Sequence, residues 1–165
     1  MIKLNTELLT KEAFAPFGDV IEKAGAQSFP INNGHCIRFH DLAKVETIGA
    51  AARSMISIFS SKPYSLPLHL EMVERHPLGS QAFVPLSKHP FLVIACKDNN
   101  GTPEIPQAFI ATNWQGINFK KNTWHGVLTP LVTDSDFLVI DRGGEGKNLE
   151  EYFFDEPYEI GSSLI

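Results

Sequence analysis

The chain has 165 residues, of which 43% are hydrophobic and 20% are charged, and its formal net charge is -5. This length and apolar content predict one domain over residues 1–165 with a core of its own. Scattered basic residues argue against a nucleic-acid partner, and no apolar run approaches the roughly 20 residues that a membrane span requires. Charges at Lys3, Glu7 and Lys11 interrupt the N-terminal segment, so we expect no secretion signal. Because Cys36 and Cys96 lack CxxC spacing, we expect a cytoplasmic protein with reduced thiols.

The first predicted element is a short helix over Lys11–Phe17, which Thr10 caps and Gly18 ends. After it, short apolar runs broken by Gly, Pro and Asn predict strands. A helix over Asp41–Ala52 is expected to join two of them, and Glu150–Ile160 is expected to form a short helix or an edge strand. The predicted strands are Asp19–Glu22, His35–His40, Met55–Phe59, Leu68–His76, Gln81–Leu86, Phe91–Lys97, Gln107–Ala111, Ile117–Phe119, Val127–Pro130 and Asp136–Asp141.

Turn sequences at regular intervals between the predicted strands indicate the fold class. Asp98–Gly101 and Asn113–Gly116 are strong turn sequences. Many short strands of this kind indicate a sandwich or a barrel, and the long amphipathic helices that a parallel α/β sheet requires are missing. The sequence therefore predicts an antiparallel barrel of about six to ten strands that can hold a small ligand in its mouth.

One short stretch, Glu74-Arg75-His76, stands out because it ends a predicted strand directly before a turn. On a strand, Glu74 and His76 point to one face and Arg75 to the other. Gln81 begins the next strand, and His125 precedes a distant one. The spacing has the shape of the cupin pattern HxH, four residues, Glu and a distant His, with Glu in the first His position and Gln in the Glu position. A lone histidine beside a turn is most often structural, and it is the whole spacing that favours a shared cavity.

Longer segments resemble the ureidoglycolate lyase family, enzymes of the cupin class. The resemblance runs over most of the chain and implies a mainly β fold, a cupin-like antiparallel β-barrel (jelly roll) with a few short helices. It also implies a lyase that breaks (S)-ureidoglycolate into glyoxylate and urea in allantoin degradation, and a homodimer, for which the aromatic and acidic segment Glu150–Tyr158 offers an edge. The segments are FAPFGDVIE, INNGHCIRFHDLA, ERHPLGSQAFVPL, QGINFKKNTWH and DFLVIDRGG.

The implied reaction requires an acid and a base. Ureidoglycolate is a hemiaminal, and its C–N bond breaks when the hydroxyl loses a proton and the ureido nitrogen gains one. His76, His125 and Glu74 can supply these transfers near neutral pH, especially if burial raises the pKa of the glutamate. We therefore predict them as the catalytic residues.

The substrate also has a carboxylate and an amide end to be recognised. Gln81 and Asn32 can bind the polar groups of the urea end. Arg38, Lys120 or Arg142 can hold the carboxylate, and the sequence leaves the choice between these cations open.

A divalent metal is a second prediction for the same residues. Glu74, His76, Gln81 and His125 offer a mixed nitrogen and oxygen ligand set, and an ion there would acidify the substrate hydroxyl. The resemblance implies nickel. Metal-free acid–base catalysis is an equal alternative.

Other functions remain open at the level of sequence. A ureidoglycolate amidohydrolase that releases ammonia would need a water activated beside the urea carbonyl, and no nucleophile triad or carboxylate-rich metal cluster supports it. A non-enzymatic cupin that binds a small acid would also carry substituted ligand positions. Turnover with product analysis separates the three.

Overall fold

The computed structural model describes residues 1–161, which form seventeen strands, one α-helix and one 3-10 helix. The α-helix α1 covers Lys11–Phe14, and the 3-10 helix covers Asn32–Gly34. Residues 162–165 of the predicted domain lie outside the described part. The strands are β1 Ile2–Leu4, β2 Thr6–Leu8, β3 Gly18–Ile21, β4 Ser28–Ile31, β5 Cys36–Phe39, β6 Arg53–Ser61, β7 Leu68–Arg75, β8 Gln81–Pro85, β9 Phe91–Cys96, β10 Asp98–Asn99, β11 Thr102–Pro103, β12 Gln107–Ala111, β13 Gly116–Phe119, β14 Trp124–His125, β15 Thr129–Pro130, β16 Ser135–Gly143 and β17 Glu150–Ile160.

Two sheets make up the body of the protein. The larger has the order β1-β17-β7-β14-β9-β12-β2, with β15 also on β9, and the smaller has the order β3-β13-β8-β16-β6. Most neighbours are antiparallel, while β1 with β17 and β2 with β12 are parallel. Strands β4 and β5 form a separate ribbon, and β10 and β11 form a hairpin.

Both sheets bury alternate residues in one shared core. Phe83, Phe119 and Phe137 of the smaller sheet pack in one cluster with Val93 and Phe109 of the larger. Strand alternation turns every second side chain to this inner face. A second cluster lies on the other face of the larger sheet, so β9 is buried at every position. The mainly β, cupin-like barrel class is confirmed.

Several predicted elements agree with the structure and two do not. Thr10 caps α1 as expected, and the helix is shorter than predicted. The prediction of a helix over Asp41–Ala52 is wrong, because this segment is a loop with one isolated β-bridge, Thr47 to Gly79. Positive φ angles at Asp41, Gly49 and Ala51 are incompatible with a continuous α-helix.

The C-terminal segment Glu150–Ile160 is an internal strand of the larger sheet and not an edge. It has β1 on one side and β7 on the other, with an irregularity between Phe153 and Tyr158. Within residues 1–161, no helix is long and apolar enough to cross a membrane.

Candidate active site

The two sheets bring together the side chains that share the predicted spacing. Strand β14 lies between β7 and β9 and sets His125 directly opposite Glu74. Gln81 opens β8 in the smaller sheet. Glu74, Gln81 and His125 line one cavity of about 490 Å³ with Phe59, Phe83 and several smaller residues. His76 is beside this lining, with its ring centroid 5.2 Å from that of His125.

Backbone carbonyls determine the tautomers of both histidines. His76 Nδ1 lies 2.8 Å from the Asn148 carbonyl oxygen, and His125 Nδ1 lies 3.0 Å from that of Gly126. A carbonyl oxygen only accepts, so each Nδ1 carries a proton, and in the neutral form of each ring Nε2 has the lone pair. Both Nε2 atoms are buried, and neither has a hydrogen-bond partner within residues 1–161.

His125 is held neutral by its surroundings. The ring is fully buried and stacks on Phe119, with centroids 4.2 Å apart and planes 9° from parallel. Burial, and secondarily the charge of His76, lower the pKa of His125 from its ordinary 6.5 to about 3. The imidazole is therefore an acceptor or a metal ligand at neutral pH and not a proton donor.

Burial shifts the pKa of Glu74 in the opposite direction from that of His125. Burial raises the pKa of its carboxyl above the ordinary value, attraction to His76 opposes that rise, and the charge of Glu151 adds to it. Its Oε1 lies 3.7 Å from His76 Nε2. A desolvated carboxyl group next to an imidazole is suited to accept and return a proton.

The same atoms fit a divalent metal. One ligand atom each from Glu74, His76 and His125 lies within 4.8 Å of the others. Two neutral imidazoles and one carboxylate suit borderline ions such as nickel or zinc. Gln81 Oε1 is buried as well and has no hydrogen-bond partner in the described part of the chain.

Within residues 1–161, the other predicted substrate-binding residues do not line this cavity. Asn32 is exposed in the 3-10 turn, and Arg38 is exposed on β5. Lys120 donates to the Ala15 carbonyl and lines a separate cavity of about 450 Å³. Arg142 is buried and donates to the carbonyls of three residues, Ile48, Ala50 and Glu145.

Two residues near the site are absent from the predicted set, Asn148 and Asp141. Asn148 fixes the His76 ring through its carbonyl and also accepts from the Leu78 amide through Oδ1. Asp141 Oδ2 accepts from Gln81 Nε2 at 3.3 Å. A sequence signal existed for Asp141 alone, since it has the same strand parity as the buried Phe137 and Val139.

Comparison with known proteins gives one consistent description. The family model described as ureidoglycolate lyase matches residues 1–161. The chain is 64% identical to a ureidoglycolate lyase of Chelativorans sp., covering 97% of both chains. It is 57% identical to ureidoglycolate lyase 2 of Rhizobium meliloti, covering 97% of this chain and 98% of the relative. Among solved structures, a dTDP sugar isomerase from Desulfovibrio desulfuricans is similar with a TM-score of 0.44 and 15% identity over 85% of this chain and 87% of that one.

Burial of neutral His125 predicts a loss of stability in mild acid. The unfolded imidazole takes up a proton near pH 6.5, whereas the folded one does so only near pH 3. The unfolded state therefore binds more protons between these values, and the free energy of unfolding falls as the pH falls through this window, by up to about 1.4 kcal/mol per pH unit. Guanidinium denaturation with a chelator present, from about pH 7 to about pH 5, measures this slope.

The matched variants are His125→Asn, which removes the buried titrating group, and His89→Asn, which changes an exposed histidine. We expect the His125 variant to have a flatter pH dependence and the His89 variant to keep the original one. Equal slopes in all three proteins would contradict the burial argument.

Proposed function

The chain belongs to the ureidoglycolate lyase family, and we propose that it cleaves ureidoglycolate into glyoxylate and urea in the cavity between its two sheets. The observation that carries this site is the convergence of Glu74, His76 and His125, whose ligand atoms lie within 4.8 Å of one another. Their chemistry matches the proton transfers of hemiaminal cleavage.

The reaction moves one proton from oxygen to nitrogen. The substrate O–H bond breaks and its electron pair forms the C=O bond of glyoxylate. The C–N bond breaks, its electron pair stays on nitrogen, and that nitrogen takes a proton to complete urea. Glu74, with its raised pKa, accepts the hydroxyl proton and returns it to the ureido nitrogen, while His76 Nε2 lies 3.7 Å from its Oε1. No water enters this balance.

His125 has a different task because it remains neutral. A group with a pKa of about 3 does not donate a proton at neutral pH. Its Nε2 lone pair instead accepts a hydrogen bond from the substrate or ligates an ion. The Phe119 stack and the Gly126 carbonyl hold the ring in the orientation that either task needs.

We further propose that a divalent ion, nickel first among the candidates, occupies this site in the active enzyme. Glu74, His76 and His125 would hold it. Such an ion would supply positive charge that acidifies the substrate hydroxyl and attracts its carboxylate. The buried Nε2 atoms, which have no partner within residues 1–161, support this proposal. The described lining of the cavity also contains no Lys or Arg to hold the carboxylate.

The biological setting follows from the same reaction. Ureidoglycolate cleavage belongs to the degradation of allantoin and thus of purines, and we propose that role here. We also propose a cytoplasmic location, supported by Cys36 and Cys96, neither of which forms a disulfide.

A homodimer is proposed as well, on a different surface from the one that the sequence indicates. Strand β17 already has partners on both sides. By contrast, β6 pairs only with β16 within residues 1–161, and its Ile56 and Ile58 are 74% and 55% exposed. Opposite them on the same face lie Ile140 and Leu138 of β16. An apolar sheet face that continues to an open edge is suited to pairing with a second copy.

The first prediction from the proposed function concerns products and the residues that form them. Incubation with racemic ureidoglycolate should release urea and glyoxylate in equal amounts without ammonia. His76→Ala, His125→Ala and Glu74→Gln should each lower turnover by roughly 10²–10⁴-fold, because each removes a group that touches the substrate or its ion.

His69→Ala is the matched control, since His69 lies on the same strand as Glu74 but is exposed. It should retain near-normal turnover. Ammonia released without urea would instead favour the amidohydrolase, and binding without product would favour a non-enzymatic cupin. Folded His76 and His125 variants with normal turnover would place the chemistry elsewhere.

The second prediction concerns the ion. Prolonged chelation should abolish turnover, readdition of nickel should restore it, and elemental analysis should find one ion per active chain. Removing two ligands, as in His76→Ala with His125→Ala, should eliminate the bound ion while the fold is retained. Full activity in a metal-free preparation would leave the three side chains as acid–base and hydrogen-bonding groups alone.

The third prediction concerns the dimer. Light scattering should give about twice the 18.3 kDa chain mass. Ile56→Asp with Ile58→Asp should shift the protein to the monomer, because burying carboxylates against a partner is unfavourable. Ile105→Asp, at a residue that is 65% exposed on a loop, should leave the dimer intact. A wild-type monomer at micromolar concentration would contradict the proposal.

A further inference from the structure

Gln81 is the amide in the cavity, and the direction in which its side chain points determines what it can bind. The residue is 7% exposed and has the same strand parity as Phe83, whose ring lies in the shared core. Its side chain therefore projects to the inner face and into the cavity. An amide has one end that donates and one that only accepts, and the two ends recognise opposite groups.

Asp141 determines which end faces the cavity. In the sheet, Ile140 pairs with Ala82, so Asp141 lies beside Gln81 on the neighbouring strand. Asp141 Oδ2 accepts from Gln81 Nε2 at 3.3 Å. A carboxylate has no donor to offer, so the reverse orientation would bring two acceptors together. The Gln81 oxygen must therefore point away from Asp141.

The oxygen atoms of Gln81 and Asp141 that are not used in this hydrogen bond support a ligand beside Gln81. Gln81 Oε1 is buried without a hydrogen-bond partner in the described residues, and so is Asp141 Oδ1. Buried polar groups are normally satisfied, and an exception requires an explanation such as an absent ligand. Gln81 lines the same cavity as Glu74 and His125. Its unpaired acceptor therefore lies beside the proposed substrate site.

We infer that Asp141 is a positioning residue that holds the Gln81 amide so that its oxygen accepts an N–H of the ureido group of the substrate. This inference rests on the proposed function and extends it to the recognition of one end of the substrate. The urea end of ureidoglycolate offers N–H donors, whereas the glyoxylate end offers only acceptors and the hydroxyl. The pair of Asp141 and Gln81 therefore selects for a ureido group, and Gln81 touches the substrate while Asp141 acts through Gln81.

The test compares binding of the two products. Urea and glyoxylate are each used as inhibitors of ureidoglycolate cleavage, with Asp141→Ala, Gln81→Ala and the double variant. We expect Asp141→Ala to weaken inhibition by urea by about tenfold, to lower kcat/KM by a similar factor, and to leave inhibition by glyoxylate unchanged. In the Gln81→Ala background, Asp141→Ala should have less than about twofold further effect, because a residue that acts through Gln81 has no target there.

Two further variants distinguish positioning from a general structural role. Asp141→Asn has nearly the same shape and can still accept through its amide oxygen, so it should recover most of the urea inhibition that Asp141→Ala loses. Asp19→Asn is the matched control, because Asp19 holds the buried Asn118 amide in a similar pair outside this cavity. It should leave inhibition by both products unchanged.

The outcomes separate this inference from the proposed function. Cleavage by the wild type together with additive effects of Asp141→Ala and Gln81→Ala would overturn the inference alone. Equal weakening of urea and glyoxylate by Asp141→Ala would do the same. A wild-type protein that does not release urea and glyoxylate would overturn both.

Discussion

The two-residue strand β14 is the constraint on which the site depends. Side chains alternate along this strand, so Trp124 packs in the cluster on the outer face of the larger sheet and His125 points to the core between the two sheets. Holding the Trp124 side chain in place therefore also orients His125. On the outer side, Trp124 donates from Nε1 to Asp98 at 2.8 Å, and the Arg75 guanidinium lies 4.3 Å from its ring. Arg75 itself is held by ion pairs to Glu150 and Asp98. This cluster on the outer face holds the short strand in place, and the imidazole opposite Glu74 follows from it.

The site also concentrates desolvated groups that disfavour their charged forms. His125 and Glu74 both lose solvation on folding, and burial shifts their pKa values in opposite directions. The neutral imidazole of His125 offers a lone pair to a donor or an ion, and the more basic carboxylate of Glu74 accepts a proton more readily. A buried histidine that stays neutral also lowers the free energy of unfolding in acid. This loss of stability in acid arises at His125, the residue whose Nε2 lone pair the site uses.

Spacing and alternation were sufficient to predict part of this arrangement. Glu74, Gln81 and His125 line one cavity, His76 lies beside it, and Arg75 is on the opposite face, because strand periodicity survives in β7 and β8. The loop over residues 41–52 could not be predicted in the same way. Its composition is compatible with a helix, but its backbone is held by residues distant in the sequence, among them Arg142, which donates to the carbonyls of Ile48 and Ala50 from about ninety positions away. Long-range pairing of this kind leaves no local signal.

Adjacent residues on β16 therefore act on Gln81 from two directions. Arg142 faces outward and secures the loop through the carbonyls of Ile48 and Ala50. That loop bridges to Gly79 and exchanges hydrogen bonds with Ser80, the residues that lead directly into β8. Asp141 faces inward and orients the Gln81 amide. Arg142 thus contributes to the site by holding the backbone that carries Gln81. Its guanidinium was predicted to bind the substrate carboxylate, and in the structure it binds backbone carbonyls instead.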